Sequence, residues 1–342
     1  MAVSASARGL ALALLCALPA WGRGAAALPA WDALPESARW ELQMLGVTDA
    51  ERLAQARALV SNRLVRLALV GEGGLSRKVL RPHMYRGCTL VYRTGGDSGR
   101  GAHDTGQIAV ILDLLRALGV RVHLTSYQPP DDFAQLAAAF AAAGAEADIV
   151  VTYHSFWGDG VKLIVEAMAS RPQALFLAPY GEIGEPRTST SMQAHSWKPW
   201  GGGLPNLFTC APLARKSDGS LLIPSHRDAN DTEIINFLAP SYHASGPGGT
   251  CPAVGVVAAV AAYACAAAPQ RPDRAMLVRL LHQSVTVDEA ALTSAPPFTA
   301  EHIARLRASL ATLQEPDAGH PRKVDAAGVI SLSRVWGALR AD

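Results

Sequence analysis

The stretch Ala253 to Ala268 is mostly Ala and Val, with no charged residue. A segment this apolar on every side predicts a helix buried all round. It follows a glycine-rich turn, Ser245-Gly-Pro-Gly-Gly-Thr-Cys-Pro252. Thr250 is a suitable cap, and Pro252 suits a first helical turn. Upstream, two periodicities alternate. Val65 to Val70 reads as a strand, and Ala102 to Leu118 as a helix with Ile108, Ile111, Leu112 and Leu115 on one face. Val120–Leu124 reads as a strand, Asp131–Ala143 as an Ala-rich helix stopped by Gly144, and Asp148–Tyr153 as a strand. Gly160–Ser170 then reads as a helix and Gln173–Ala178 as a strand. Strands apolar on both faces, alternating with helices, predict a mainly parallel sheet covered on two sides. Pro35–Asn62 predicts one or two short helices. Leu207–Pro212, Ser220–Pro224 and Phe237–Pro240 predict short strands, and Pro272–Ser284 a helix. Thr299–Leu313 is amphipathic and bracketed by prolines, which predicts a helical insertion over about 288–318.

Composition changes the picture little. The 342 residues are 49% hydrophobic and 18% charged, with net charge +2. That suits a large core and gives no basic surface for nucleic acid. The N-terminus matters more. Arg8, the apolar run Leu10–Trp21 and Ala25-Ala26-Ala27 read as a signal peptide over 1–27, so the expected location is secreted or periplasmic, with no membrane attachment after cleavage. A helical segment over 28–64 and a domain over 65–342 would follow. Four cysteines remain, Cys88, Cys210, Cys251 and Cys265. Cys251 and Cys265 on one helix would stand about 21 Å apart, too far to bridge. Cys251 falls at the helix N-terminus, where the macrodipole favours a thiolate. Gly71-Glu72-Gly73-Gly74 follows a strand but opens no clear helix, which argues against a nucleotide site. No loop carries the acidic density calcium needs, Asp228-Ala-Asn-Asp231 being nearest. The reading expects no cofactor and no metal.

The glycine-rich turn resembles the nucleophile segment of the subtilases, the subtilisin-like serine proteases, whose pattern is Gly-Thr-Ser-Met-Ala-x-Pro-His-Val-Ala-Gly. Gly249-Thr250, Ala253 and Val257-Ala258 match it. Six further segments fall in family order: Leu67–Gly73, Gly99–Ala109, Asp148–Ser155, Leu175–Gly184, Phe237–Pro240 and Lys323–Ala327. The resemblance implies an α/β, subtilisin-like three-layer αβα fold with a mainly parallel central sheet.

The chemistry does not transfer position by position. The resemblance places the triad on Gly71 (for Asp), Arg100 (for His) and Cys251 (for Ser), and the oxyanion residue on Glu182 (for Asn). Arg100 stays protonated and cannot be a base, and Gly71 has no side chain to orient one. Arg100 and Glu182 could pair, with Glu72 beside them. His103 falls on the family's second, non-catalytic histidine and is expected to be a satisfied helix histidine. A gapped alignment that deletes about one helical turn would instead pair it with Cys251. Ser155, Phe156, Trp157 and Gly158 match the edge where the family's peptide substrates add a strand. The leading expectation is an exported pseudoprotease that binds a peptide or protein in the old cleft, where the short 28–64 segment leaves no room for an inhibitory propeptide. The alternative is a peptidase or acyl-transfer enzyme with Cys251 as nucleophile. Proteolysis from a displaced Ser191 or Ser245 is a third, weaker reading.

Overall fold

The computed structural model describes residues 28–71, 73–97, 102–130, 132–154, 156–180, 192–195, 203–215, 221–222, 235–242, 250–286 and 329–341, with positions 300, 301, 304, 306–308 and 311. Its centre is a sheet of ten strands in the order β2-β3-β1-β4-β5-β6-β8-β10-β9, with β7 paired to β6. The strands are β1 (Leu64–Val70), β2 (Cys88–Tyr92), β3 (Arg121–Tyr127), β4 (Ile149–Val151), β5 (Leu175–Pro179), β6 (Leu207–Arg215), β7 (Leu221–Leu222), β8 (Phe237–Ser241), β9 (Val285–Thr286) and β10 (Val329–Ile330). From β2 to β10 every pairing is parallel, and only β9 and β7 run antiparallel to their neighbours.

Alternation along the strands sorts their side chains onto two faces. Leu67 and Leu69 of β1, Ile149 and Val151 of β4, and Leu175 and Leu177 of β5 face one helical layer. That layer holds α1 (Glu36–Met44), α2 (Ala50–Leu59), α4 (Ala102–Leu118), α7 (Thr250–Ala267), α8 (Arg274–Gln283) and α9 (Leu332–Ala341). Ala68, Val70, Val150 and Phe176 point the other way, to Leu136 and Phe140 of α5 (Phe133–Glu146) and Ile164 and Met168 of α6 (Val161–Ala169). The molecule is therefore the expected three-layer α/β arrangement. Helix α7 is long and apolar enough to cross a membrane, but it is the buried central helix of its layer.

Several boundaries differ from the sequence reading for physical reasons. Helix α5 runs through Gly144 to Glu146. A Cβ at Gly144 would lie 2.8 Å from Phe176 Cζ and from Arg171 Cβ, so this glycine permits close helix-on-sheet packing instead of stopping the helix. Arg77–Leu80 does form a short helix, α3, because the Ser76 side chain accepts the Val79 N–H. Strand β2 has no clean alternation of its own and is fixed by pairing with β3. The N-terminal helices belong to the same core: Tyr263 of α7 donates its hydroxyl to Ala56 O at 3.0 Å, and Arg57 donates to Ala117 O. Much of the expected 288–318 insertion lies outside the described residues; its described positions between 300 and 311 are helical, and Leu306 is buried against Trp40 and Leu213. The segment 1–27 also lies outside them.

Candidate active site

The sheet order reverses between β1 and β4. After β1 the chain crosses to the edge strand β2 and returns to β3 beside β1, whereas from β4 onward it builds the other way. In open parallel sheets the crevice at the carboxyl ends of such a pair is the usual site of chemistry. Here Gly71 and Gly73 follow β1, Tyr153 and His154 follow β4, and the N-termini of α4 and α7 bring His103, Asp104 and Cys251 to the same place.

Two helices run side by side to do this. One turn beyond Cys251, Gly255 faces α4; a Cβ there would sit 3.3 Å from Ile111 Cγ1 and 3.6 Å from the carbonyl of Gln107. Gln107 is itself one turn beyond His103. The missing side chain lets α4 and α7 approach closely, and the same seam carries Cys251 to His103. The loop after β1 clamps the start of α4: the Ser76 N–H donates to Thr105 Oγ1 at 3.0 Å, and the Gly73 N–H to Asp104 Oδ2 at 3.4 Å.

Asp104 is the buried anchor, its side chain 1% exposed. His103 Nδ1 donates to its Oδ1 at 3.2 Å, and His154 Nε2 donates to the same oxygen at 3.0 Å. Burial pushes the Asp104 carboxyl up, but the two imidazoles outweigh it and hold the group at about 2. His103 is raised to about 10, first by its hydrogen bond to Asp104 and then by its hydrogen bond to Cys251. With Nδ1 on the carboxylate, Nε2 is the nitrogen left for the sulfur. The Cys251 Sγ also lies 3.5 Å from Tyr153 O, and the Tyr153 ring meets His103 edge-on at 6.1 Å. Among the described residues the other three thiols, Cys88, Cys210 and Cys265, are free but buried, and burial pushes each upward, Cys88 and Cys265 to about 12.

His103 is thus not an isolated helix histidine; it stands between Cys251 and a carboxylate. Gly71 lacks the orienting group, as its sequence says, but the space is filled from the helix. A Cβ at Gly71 would lie 2.2 Å from Asp104 Oδ2. Asp104 and His154 were not singled out in the sequence. The signal for Asp104 was there: an Asp is missing at Gly71, and another appears where the subtilase pattern has Val. His154 carried no such mark.

Arg100, Glu182, Glu72, Ser155, Ser191 and Ser245 lie outside the described residues. At the expected peptide edge, Phe156 is turned into the core beside Phe140, Trp157 is exposed, and Gly158 takes a positive φ of 105°. The carbonyls of that segment already have partners: Phe156 O accepts the Met192 N–H at 2.8 Å, and His154 O accepts from Gln193 Nε2 at 3.3 Å.

The fold is subtilisin-like. A solved lanthipeptide protease superposes on 91% of this chain and 98% of its own, with TM-score 0.57 and 14% identity. The prenylagaramide maturation protease PagA covers 85% of this chain and 99% of its own at TM-score 0.53 and 14% identity. The A-subunit of the AB5 toxin from E. coli covers 88% and 99% at TM-score 0.54 and 12% identity. Identities this low establish the shared fold and leave the chemistry to the residues. No family model matches the sequence, and no curated protein matches it.

Proposed function

We propose that this protein is a peptide- or acyl-bond-cleaving enzyme of the subtilisin-like fold that uses Cys251 as its nucleophile. The observation that carries the reading is the Asp104 carboxylate lodged in the space left by Gly71 and hydrogen-bonded to His103, at the helix seam that brings Cys251 alongside. In outline, His103 takes the thiol proton, the sulfur attacks a carbonyl carbon, and the imidazolium returns a proton to the leaving group. Asp104 keeps the ring in the required tautomer and steadies its positive charge. The N-terminus of α7 offers backbone N–H groups to the developing oxyanion. This reading favours the alternative from the sequence over an inert binding scaffold, because base and carboxylate are both present: His103 lies three residues, about one helical turn, beyond the position where the subtilase pattern puts its histidine, and Asp104 on α4 stands in for the acid missing at Gly71. The structural relatives named above as proteases agree with it.

The test is alkylation of Cys251 by iodoacetamide at pH 7, followed by mass spectrometry. The wild type is expected to react at least roughly tenfold faster than H103A, because an imidazole-paired thiol is more reactive than an unassisted one. Equal rates would return the protein to a scaffold without chemistry. Peptide hydrolysis that survives C251A would also sink the proposal.

A further inference from the structure

The same cleft holds a second chemical possibility. His103 Nδ1 and His154 Nε2 both point at one oxygen of Asp104, from 3.2 and 3.0 Å. All three donor atoms lie within 4.8 Å of one another. Around zinc, with ligand bonds of about 2.0–2.1 Å, tetrahedral neighbours stand roughly 3.3 Å apart. The spacing therefore approaches a metal's ligand triangle without rearranging the backbone. We propose that His103, Asp104 and His154 bind a zinc-class divalent cation, and that its binding switches off Cys251. The switching clause rests on the function proposed above; the binding clause does not.

Two imidazoles and one carboxylate suit zinc or a similar transition metal, whereas calcium and magnesium prefer sets made of oxygen. Asp104 forms a buried anionic floor, while the His103 and His154 side chains are 52% and 20% exposed, which leaves an entry path. On binding, each ring loses the proton it now shares with Asp104. A neutral imidazole bound through Nδ1 keeps its one proton on Nε2. That nitrogen can then no longer accept the proton of Cys251, so the metal and the reaction exclude each other.

The experiment titrates zinc chloride into the full chain by calorimetry and measures Cys251 alkylation with and without zinc. The expected result is one equivalent bound by wild type and by C251A, with binding at least tenfold weaker in both H154N and H103A. Excess zinc should slow alkylation of wild type at least tenfold, EDTA should restore it, and H154N should be insensitive at the same concentration. No binding, or binding unchanged in H154N and H103A, overturns the site. Binding lost in C251A would place the metal on the sulfur and also overturn it. Binding without protection of the thiol overturns the switch alone. If zinc-free wild type alkylates no faster than H103A while calorimetry still shows the site, the proposed function fails and the metal site stands.

Discussion

Gly71 and Asp104 compete for one volume: a Cβ on the glycine would stand 2.2 Å from the carboxylate oxygen. One ends a strand and the other begins a helix, and only an empty position 71 lets the acid reach His103. G71A should therefore displace the carboxylate. Alkylation of Cys251 in G71A is expected to fall toward the rate of H103A, roughly tenfold or more below wild type, with a circular dichroism spectrum like the parent's. A rate equal to wild type would mean the carboxylate does not serve the ring.

Gly255 tests the seam between the two helices. G255V puts three carbons where a single Cβ would already be 3.3 Å from Ile111. Overpacking of this kind costs about 1–3 kcal/mol, read as a lower midpoint in urea. Because the seam leads directly to the site, Cys251 reactivity should drop as well. Lost stability with unchanged reactivity would uncouple packing from alignment.

Glu41 predicts a pH effect far from the site. Its side chain is buried on α1, its Oε1 has no hydrogen-bond partner among the described residues, and burial raises its pKa well above 4.5, with a Tyr242 backbone hydrogen bond only partly opposing. Below about pH 4.5 the carboxyl is protonated both folded and unfolded. As pH rises, the unfolded chain releases that proton and the folded one holds it, so the group costs stability. E41Q should melt at least about 2–4 °C above wild type at pH 8, which is about 1 kcal/mol, and the gap should close at pH 4. A gap that persists at pH 4 would point to packing instead of charge.

Tyr263 ties α2 to the central helix through its bond to Ala56 O. Y263F leaves that buried carbonyl without its donor and should cost about 1–2 kcal/mol, measured by chemical denaturation. No change would mean that another group satisfies the carbonyl.

Much of the framework was legible because its code is local. The period of Ile108, Ile111, Leu112 and Leu115 specified α4, whose ends agree with the reading at Ala102 and Leu118. The all-round apolar character of 253–268 gave the buried core helix. Strand β2 was missed, since its outer face carries mixed side chains and its pairing with β3 is not written within the segment itself. The site was half legible. Cys251 stood out from its place at a helix start. Asp104 did not, because the consequence of losing a carboxylate at Gly71 depends on a contact between residues 33 positions apart. His154 meets Asp104 only because the sheet places β4 beside β1.

His103 and Asp104 are consecutive residues of one helix. A relay of this kind is usually assembled from separate pieces of chain, each free to drift. Here the proposed proton acceptor and its counter-charge sit together on one helix, so their mutual alignment is set by covalent neighbourhood, while the sulfur comes from a second helix. The fit of the site therefore rests on the packing of α7 against α4 at Gly255.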